Sequence, residues 1–147
     1  MRALTALILS ASLALPAFAQ DETDAQTLEI IDAADAELID FRWVDRPVIV
    51  FADSPFNPLF QEQLELLEAD LHELLIRDVV VITDTDPAAK SAIRTELRPR
   101  GFALVLLGKD GQVKLRKPSP WDVREITHAI DKWPIRLKEI RDEQGKN

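Results

Sequence analysis

The sequence predicts an α/β fold: a three-layer α/β/α sandwich with helices on both faces of a central mixed sheet of about four strands. Three observations lead there. Short apolar runs rich in β-branched residues recur at Val48–Ala52, Val79–Ile82 and Gly101–Leu107, as strands buried on both faces require. A long amphipathic pattern separates the first two runs, and a helix between two buried strands makes them parallel neighbours. The third run continues through Gly108-Lys109-Asp110-Gly111 into the alternating Gln112-Val113-Lys114-Leu115-Arg116. That is a hairpin ending in an edge strand guarded by basic residues.

Residues 1–19 read as an export signal. Arg2 supplies a short positive end, Ala3 to Leu15 an apolar run, and Ala17-Phe18-Ala19 a small-x-small cleavage site before Gln20. A periplasmic or secreted protein is therefore expected, cleaved after Ala19. No membrane attachment is expected after cleavage, because no later apolar run reaches the ~18 residues of a spanning helix. Residues 20–40 form an acidic segment, in which Leu28, Ile31 and Leu38 at helical intervals predict a helix over Thr27–Asp40. Residues 41–142 make the domain and residues 143–147 a tail.

Within the domain, Phe41-Arg42-Trp43-Val44 is expected as a turn and Asp45-Arg46-Pro47 as the start of the first strand. Asn57 reads as an N-cap and Pro58 as the first helical residue. Phe60, Leu64, Leu67, Leu71 and Leu74 then predict one helix through Ile76. Asp86 and Pro87 open a second helix, running to about Leu97 with Ile93 inward. Ser119-Pro120 is expected to cap the last main helix, which carries Val123, Ile126, Ile130 and Trp133 on its inner face. Pro134 ends it, and Ile135 to Asp142 adds a short helical tail.

The chain holds no cysteine, which removes thiol redox chemistry, thiolate metal sites and a cysteine nucleophile together. Its charge is uneven. Residues 20–78 carry 16 acidic and 3 basic side chains, and residues 79–147 carry 10 acidic and 14 basic ones. A net charge of −8 argues against a nucleic-acid partner, which needs a basic footprint. The two halves either neutralise each other within one fold or mark an interaction surface.

The order strand, helix, strand, helix, strand, strand, helix resembles the thioredoxin fold over about Asp45 to Trp133. Three segments are also similar to those of an exported bacterial family catalogued as a domain of unknown function, number four-one-seven-four. They are Phe41-Arg42-Trp43, Gly108-Lys109-Asp110-Gly111 with Val113-Lys114-Leu115-Arg116, and Trp133-Pro134-Ile135-Arg136. That family is similar in turn to a peroxiredoxin-like domain of secreted animal sushi-repeat matrix proteins. The resemblance implies fold and export, and no agreed activity. In redox-active members two cysteines sit at the corner between the first strand and its helix. Pro55 and Pro58 stand at those positions here, and proline offers no nucleophile, acid or backbone donor. The substrate-clamping cis-proline before the third strand is replaced by alanine within Gly101-Phe102-Ala103-Leu104.

Two sets of ligand-binding candidates remain. At the corner, Ser54, Phe56 and Asn57 lie where a helix N-terminus presents free N–H groups, although Asn57 is also the residue suited to cap that helix. On the basic half, Arg94, Arg98 and Arg100 can hold carboxylates or phosphates with paired hydrogen bonds, and their four-residue spacing puts Arg94 and Arg98 on one helix face. Lys109, Lys114, Arg116 and Lys117 extend this set. Glu68 and His72, with Glu65 and Glu73 nearby, could begin a metal site, but such a site needs ligands from another element, and nothing in the sequence places His128 beside His72. There is no G-x-S-x-G elbow and no Ser-His-Asp arrangement. Trp121 and Trp133 are expected to pack. No catalytic residue, cofactor or metal is expected. The function expected first is a binding module with a protein partner or self-association. A non-redox enzyme or anion-binding protein, and a structural or stress-protective envelope protein, are the alternatives.

Overall fold

The computed structural model describes residues 27–146, so the export-signal reading lies outside the described residues. Five strands form one sheet: β1 (Ile30–Asp32), β2 (Arg46–Phe51), β3 (Val79–Asp84), β4 (Ala103–Leu107) and β5 (Val113–Lys117). Their spatial order is β1-β3-β2-β4-β5. β3 runs parallel to both β1 and β2, whereas β4 is antiparallel to β2 and β5 to β4. The helices are α1 (Pro58–Glu68), α2 (Leu71–Leu75), α3 (Ala92–Leu97), α4 (Val123–Ile130) and α5 (Pro134–Gln144).

Alternation along the central strands divides the core in two. Val48, Val50, Val81, Leu104 and Leu106 face one layer, with Phe60 and Leu67 of α1, Leu74 of α2, and Val123, Ile126 and Ile130 of α4. Ile49, Phe51, Ile82, Val105 and Leu107 face the other, with Ile93 and Leu97 of α3 and Ala33. Side chains of successive strand residues point to opposite faces, so both layers are apolar and the α/β/α sandwich follows.

The expected sheet of about four strands gains a fifth. Thr27–Asp40 is not a helix: it forms β1 and two 3-10 turns, Ala33–Asp35 and Leu38–Phe41. Ile30, Ile31 and Asp32 pair with Val81, Ile82 and Thr83 of β3. The β-branched Ile30-Ile31 pair satisfies its backbone on an open sheet edge, and this tertiary pairing overrides a weak helical spacing. Asp32 then accepts from the Ala34 amide at 2.8 Å and turns the chain.

Other boundaries also move. The helix expected to run unbroken from Pro58 to Ile76 is interrupted at Ala69–Asp70, where Asp70 leaves helical geometry (φ −150°, ψ 71°). The helix opened by Asp86 stops after a 3-10 turn, Pro87–Ala89, because Lys90 is left-handed. Ser91 then caps α3 by accepting from the Arg94 amide. The cap of α4 is Asp122, not Ser119: its carboxylate takes the Glu125 amide, and Glu125 returns a bond to the Asp122 amide. That reciprocal box outcompetes Ser119-Pro120. Trp133 falls just outside α4, at the N-cap of α5, and still packs on the core. Pro134 begins α5 rather than merely ending α4, in keeping with proline's fit at a first helical position.

α5 has little apolar surface and is held by charge, at the end of the sheet where β2 begins. Arg46, only 1% exposed, donates from Nη2 to both Glu139 oxygens at 2.9 Å and from Nη1 to the Arg77 carbonyl at 2.8 Å. Glu139 also receives Lys109 at 3.2 Å and Arg136 at 3.3 Å. On the first layer, Gln63 is fully buried and reads the Trp121 backbone from both sides, donating to its carbonyl at 2.8 Å and accepting from its amide at 2.9 Å. This amide pair fixes the loop before α4 against α1.

Candidate functional site

β2 and β3 end together, with Phe51 opposite Asp84, and β4 begins beside them, with Ala103 opposite Phe51. β1 ends at Asp32 and β5 at Lys117 on the same side. One end of the sheet therefore gathers the strand-to-helix corner, the start of β4 and the last residues of β1, β3 and β5.

The corner is a locked turn. Ser54 Oγ accepts from the Phe56 amide at 3.1 Å, and the Ser54 carbonyl from the Asn57 amide at 3.1 Å. Asn57 Oδ1 accepts from the Leu59 and Phe60 amides at 2.9 and 3.3 Å, so its side chain is committed to capping α1. Phe56 does not fill the corner. It points outward with 81% of its surface exposed, and Leu59 next to it is also exposed. Pro55 and Pro58 are exposed on either side. The tip is apolar and offers no titratable group beyond Asp53.

Behind the corner lies a polar lock that sequence reading missed. Asp84, 4% exposed, accepts from Ser91 Oγ at 2.7 Å and from Arg94 Nη2 and Nε at 2.7 and 3.0 Å. The same Arg94 Nη2 reaches the Ala52 carbonyl at 2.9 Å, and its guanidinium lies 5.4 Å from the Phe51 ring centroid. Burial acts to raise the Asp84 pKa, but the Arg94 and Ser91 hydrogen bonds and the Arg94 charge outweigh it and hold the carboxyl below its usual value. Arg94 is thus engaged in fixing the corner to β3. Only the Asp84-x6-Ser91-x2-Arg94 spacing marks this network in sequence, and such spacing has no specificity on its own.

Arg98 and Arg100 belong elsewhere. α3 ends at Leu97, and Arg98 is its left-handed cap (φ 49°, ψ 57°). The helical spacing that would align Arg98 with Arg94 therefore stops one residue short, and the two side chains part. Arg98 and Arg100 are exposed and line a groove of about 270 Å³ with Arg116 and Lys117, over Phe102, Ala103, Pro99 and Pro118. Arg116 donates to the Leu97 carbonyl at 2.8 Å. Lys117 Nζ sits 4.4 Å from the Trp121 ring centroid. Among the described residues, none of these four cations forms an ion pair. Lys109 and Lys114, grouped with them by charge, do: Lys109 meets Asp78 and Glu139, and Lys114 meets Asp110.

On the opposite flank, a cavity of about 260 Å³ is lined by Asp32, Asp35, Asp84, Asp86, Thr85 and Ser91, among others. Asp32 and Asp86 cap 3-10 turns and Asp84 is locked to Arg94, so these carboxylates have structural tasks. Among the described residues no cluster of three or more His, Asp or Glu side chains is placed to hold a metal. Glu68 and His72 are separated by the break between α1 and α2.

The lowered carboxylates define a pH response. The Glu139 pKa is raised by burial but lowered more by Arg46 and Lys109, and that of Asp131 is lowered chiefly by its hydrogen bond to Arg77. With Asp84, they contribute stability that is complete above the unfolded carboxyl range, about pH 4. It is lost as pH falls through their lower folded values. Asp45, whose pKa burial and Asp78 raise, has the opposite sign but is single. Thermal unfolding followed by circular dichroism should give a flat melting temperature from pH 7 to about 5 and a steep fall below about 4.

A sequence model described as "Domain of unknown function (DUF4174)" matches residues 37–139. No curated protein matches the chain's sequence. Among solved structures, chloroplastic thioredoxin z superposes with a TM-score of 0.54 at 17% identity, covering 72% of this chain and 95% of that one. The reduced desulfothioredoxin of Desulfovibrio vulgaris Hildenborough gives 0.53 at 16% identity, covering 71% and 97%. The reduced 2-Cys peroxiredoxin of Plasmodium vivax gives 0.52 at 17% identity, covering 65% and 81%. These likenesses show a thioredoxin-like fold, here on a chain without cysteine.

Proposed function

Because the chain belongs to the family described as Domain of unknown function (DUF4174), we propose that its thioredoxin-like scaffold works after export as a non-catalytic binding module, with the corner Asp53–Pro58 as its contact point. The observation that carries this reading is Phe56. A turn closed by two hydrogen bonds to Ser54 and joined to α1 by the Asn57 cap holds an aromatic ring 81% exposed to water, flanked by Pro55, Pro58 and Leu59. Burying such a ring in a partner's pocket contributes strongly to binding, because an aromatic anchor on a rigid turn loses little conformational entropy. The corner holds no thiol, imidazole or amine, and Asp53 is its one titratable side chain. The absence of cysteine removes thiol exchange, and Asn57 is occupied as a cap.

A photo-crosslinking side chain at position 56, in the purified chain incubated with extract of the exported fraction, tests the proposal. The expected result is a discrete crosslinked protein that is lost on competition with the unmodified chain and retained with the Phe56→Ser competitor. Crosslinking that both competitors reduce equally would overturn the corner as contact point. Disulfide reductase activity in the purified chain would overturn the non-catalytic reading.

A further inference from the structure

We infer that the groove beside β5 receives an extended acidic segment of a partner protein; this rests on the binding-module reading and names the chemistry of what is bound. Four cations, Arg98, Arg100, Arg116 and Lys117, surround one groove, and none has a carboxylate partner among the described residues. The chain carries a net charge of −8, and the cations elsewhere with structural tasks, such as Arg46, Arg77, Arg94 and Lys109, are ion-paired. A set of unpaired cations in an acidic protein leaves a local positive field that a complementary anion can occupy.

Two features favour an extended peptide over a small anion. The floor of the groove is apolar, formed by Phe102 and Pro118 with their neighbours, which suits alternate side chains of a strand. The groove also adjoins β5, which among the described residues is the last strand of the sheet and pairs with β4 alone. An incoming strand can add its backbone hydrogen bonds along Val113–Lys117 and set every second side chain towards the arginines. Arginine is suited to this, since its planar fork binds carboxylates with two parallel bonds. The corner bearing Phe56 lies at the same end of the sheet, so one partner can engage both.

The test is fluorescence anisotropy with two labelled synthetic peptides, one alternating glutamate with threonine and one alternating glutamine with threonine. The glutamate peptide should bind about tenfold tighter or better, with affinity falling as salt rises. Arg98→Glu combined with Arg100→Glu should abolish that preference. Arg98→Gln with Arg100→Gln should reduce it partway and keeps the comparison usable if charge reversal disturbs the fold. In NMR, the backbone amides of Val113–Lys117 should shift on binding. Equal binding of the two peptides, or binding unchanged in both variants, overturns the inference. Full displacement by inorganic phosphate at matched charge would make this a small-anion site, and equal affinity for a single-stranded oligonucleotide would make it a general polyanion surface. Both outcomes also overturn it. If crosslinking at position 56 survives in the Arg98→Glu, Arg100→Glu chain while the peptide preference is absent in the wild type, the groove assignment fails and the binding-module reading stands.

Discussion

Replacing Glu139 with alanine is expected to destabilise the fold by about 3 kcal/mol, the lower end of the range for breaking a buried ion pair by removing one partner. Glu139 is the meeting point of Arg46, Lys109 and Arg136. Without it, the buried Arg46 keeps only the Arg77 carbonyl and a distant Asp78 at 3.8 Å, whereas Lys109 keeps Asp78 and Arg136 keeps Asp131. A loss of this size in a domain of this length lowers the melting temperature by roughly 10 °C. Urea unfolding checks it: the midpoint should fall while the slope stays constant. The double variant Arg46→Met, Glu139→Leu should recover most of the loss, because it removes both charges instead of leaving one buried. A single variant within about 0.5 kcal/mol of wild type would mean that α5 is not anchored through this carboxylate.

Asp84→Ala is expected to cost a similar amount, about 3 kcal/mol, by leaving the largely buried Arg94 without its counter-charge and Ser91 Oγ without its acceptor. Its local consequence differs. Arg94 links Asp84 to the Ala52 carbonyl, so the variant loosens the base of the corner. Amide hydrogen exchange should speed up at Phe56 and Asn57, whose amides Ser54 holds, well beyond the change expected from global destabilisation. Glu139→Ala, acting at the other end of the sheet, should leave that local exchange unaltered after correction for its global effect. The pair of variants therefore separates what stabilises the protein from what shapes the corner.

The sheet was legible in sequence where each strand carries its own signal. β2, β3 and β4 are β-branched or leucine-rich runs, and the Gly108–Gly111 turn with its alternating successor places β5. Asn57-Pro58 fixed the start of α1 for the same local reason, a cap followed by a residue that cannot donate. β1 was not legible, because three residues become a strand only when β3 offers them an edge. The break at Asp70 was hidden by leucines that keep a helical spacing across it.

At the candidate site, the residue types at the corner and on the basic loop could be read directly. Their grouping could not. Arg94 and Arg98 are four apart, yet a single left-handed residue sends one into a buried lock and leaves the other at the surface. Arg46 and Glu139 lie 93 residues apart, and no local pattern joins them. Phe56 was visible as an aromatic at the corner, but whether it lines a pocket or projects depends on Ser54 closing the turn behind it.

The two flanks at the head of the sheet carry opposite charge, with aspartates by β1 and β3 and arginines with a lysine by β4 and β5. That end of the sheet thus carries a local separation of charge lying across its strands. A partner of the acidic kind inferred for the groove would experience a torque there before contact, turning its negative side towards β5. Such pre-alignment raises the rate of productive collision more than it slows departure, and it fades as dissolved ions shorten the reach of the field.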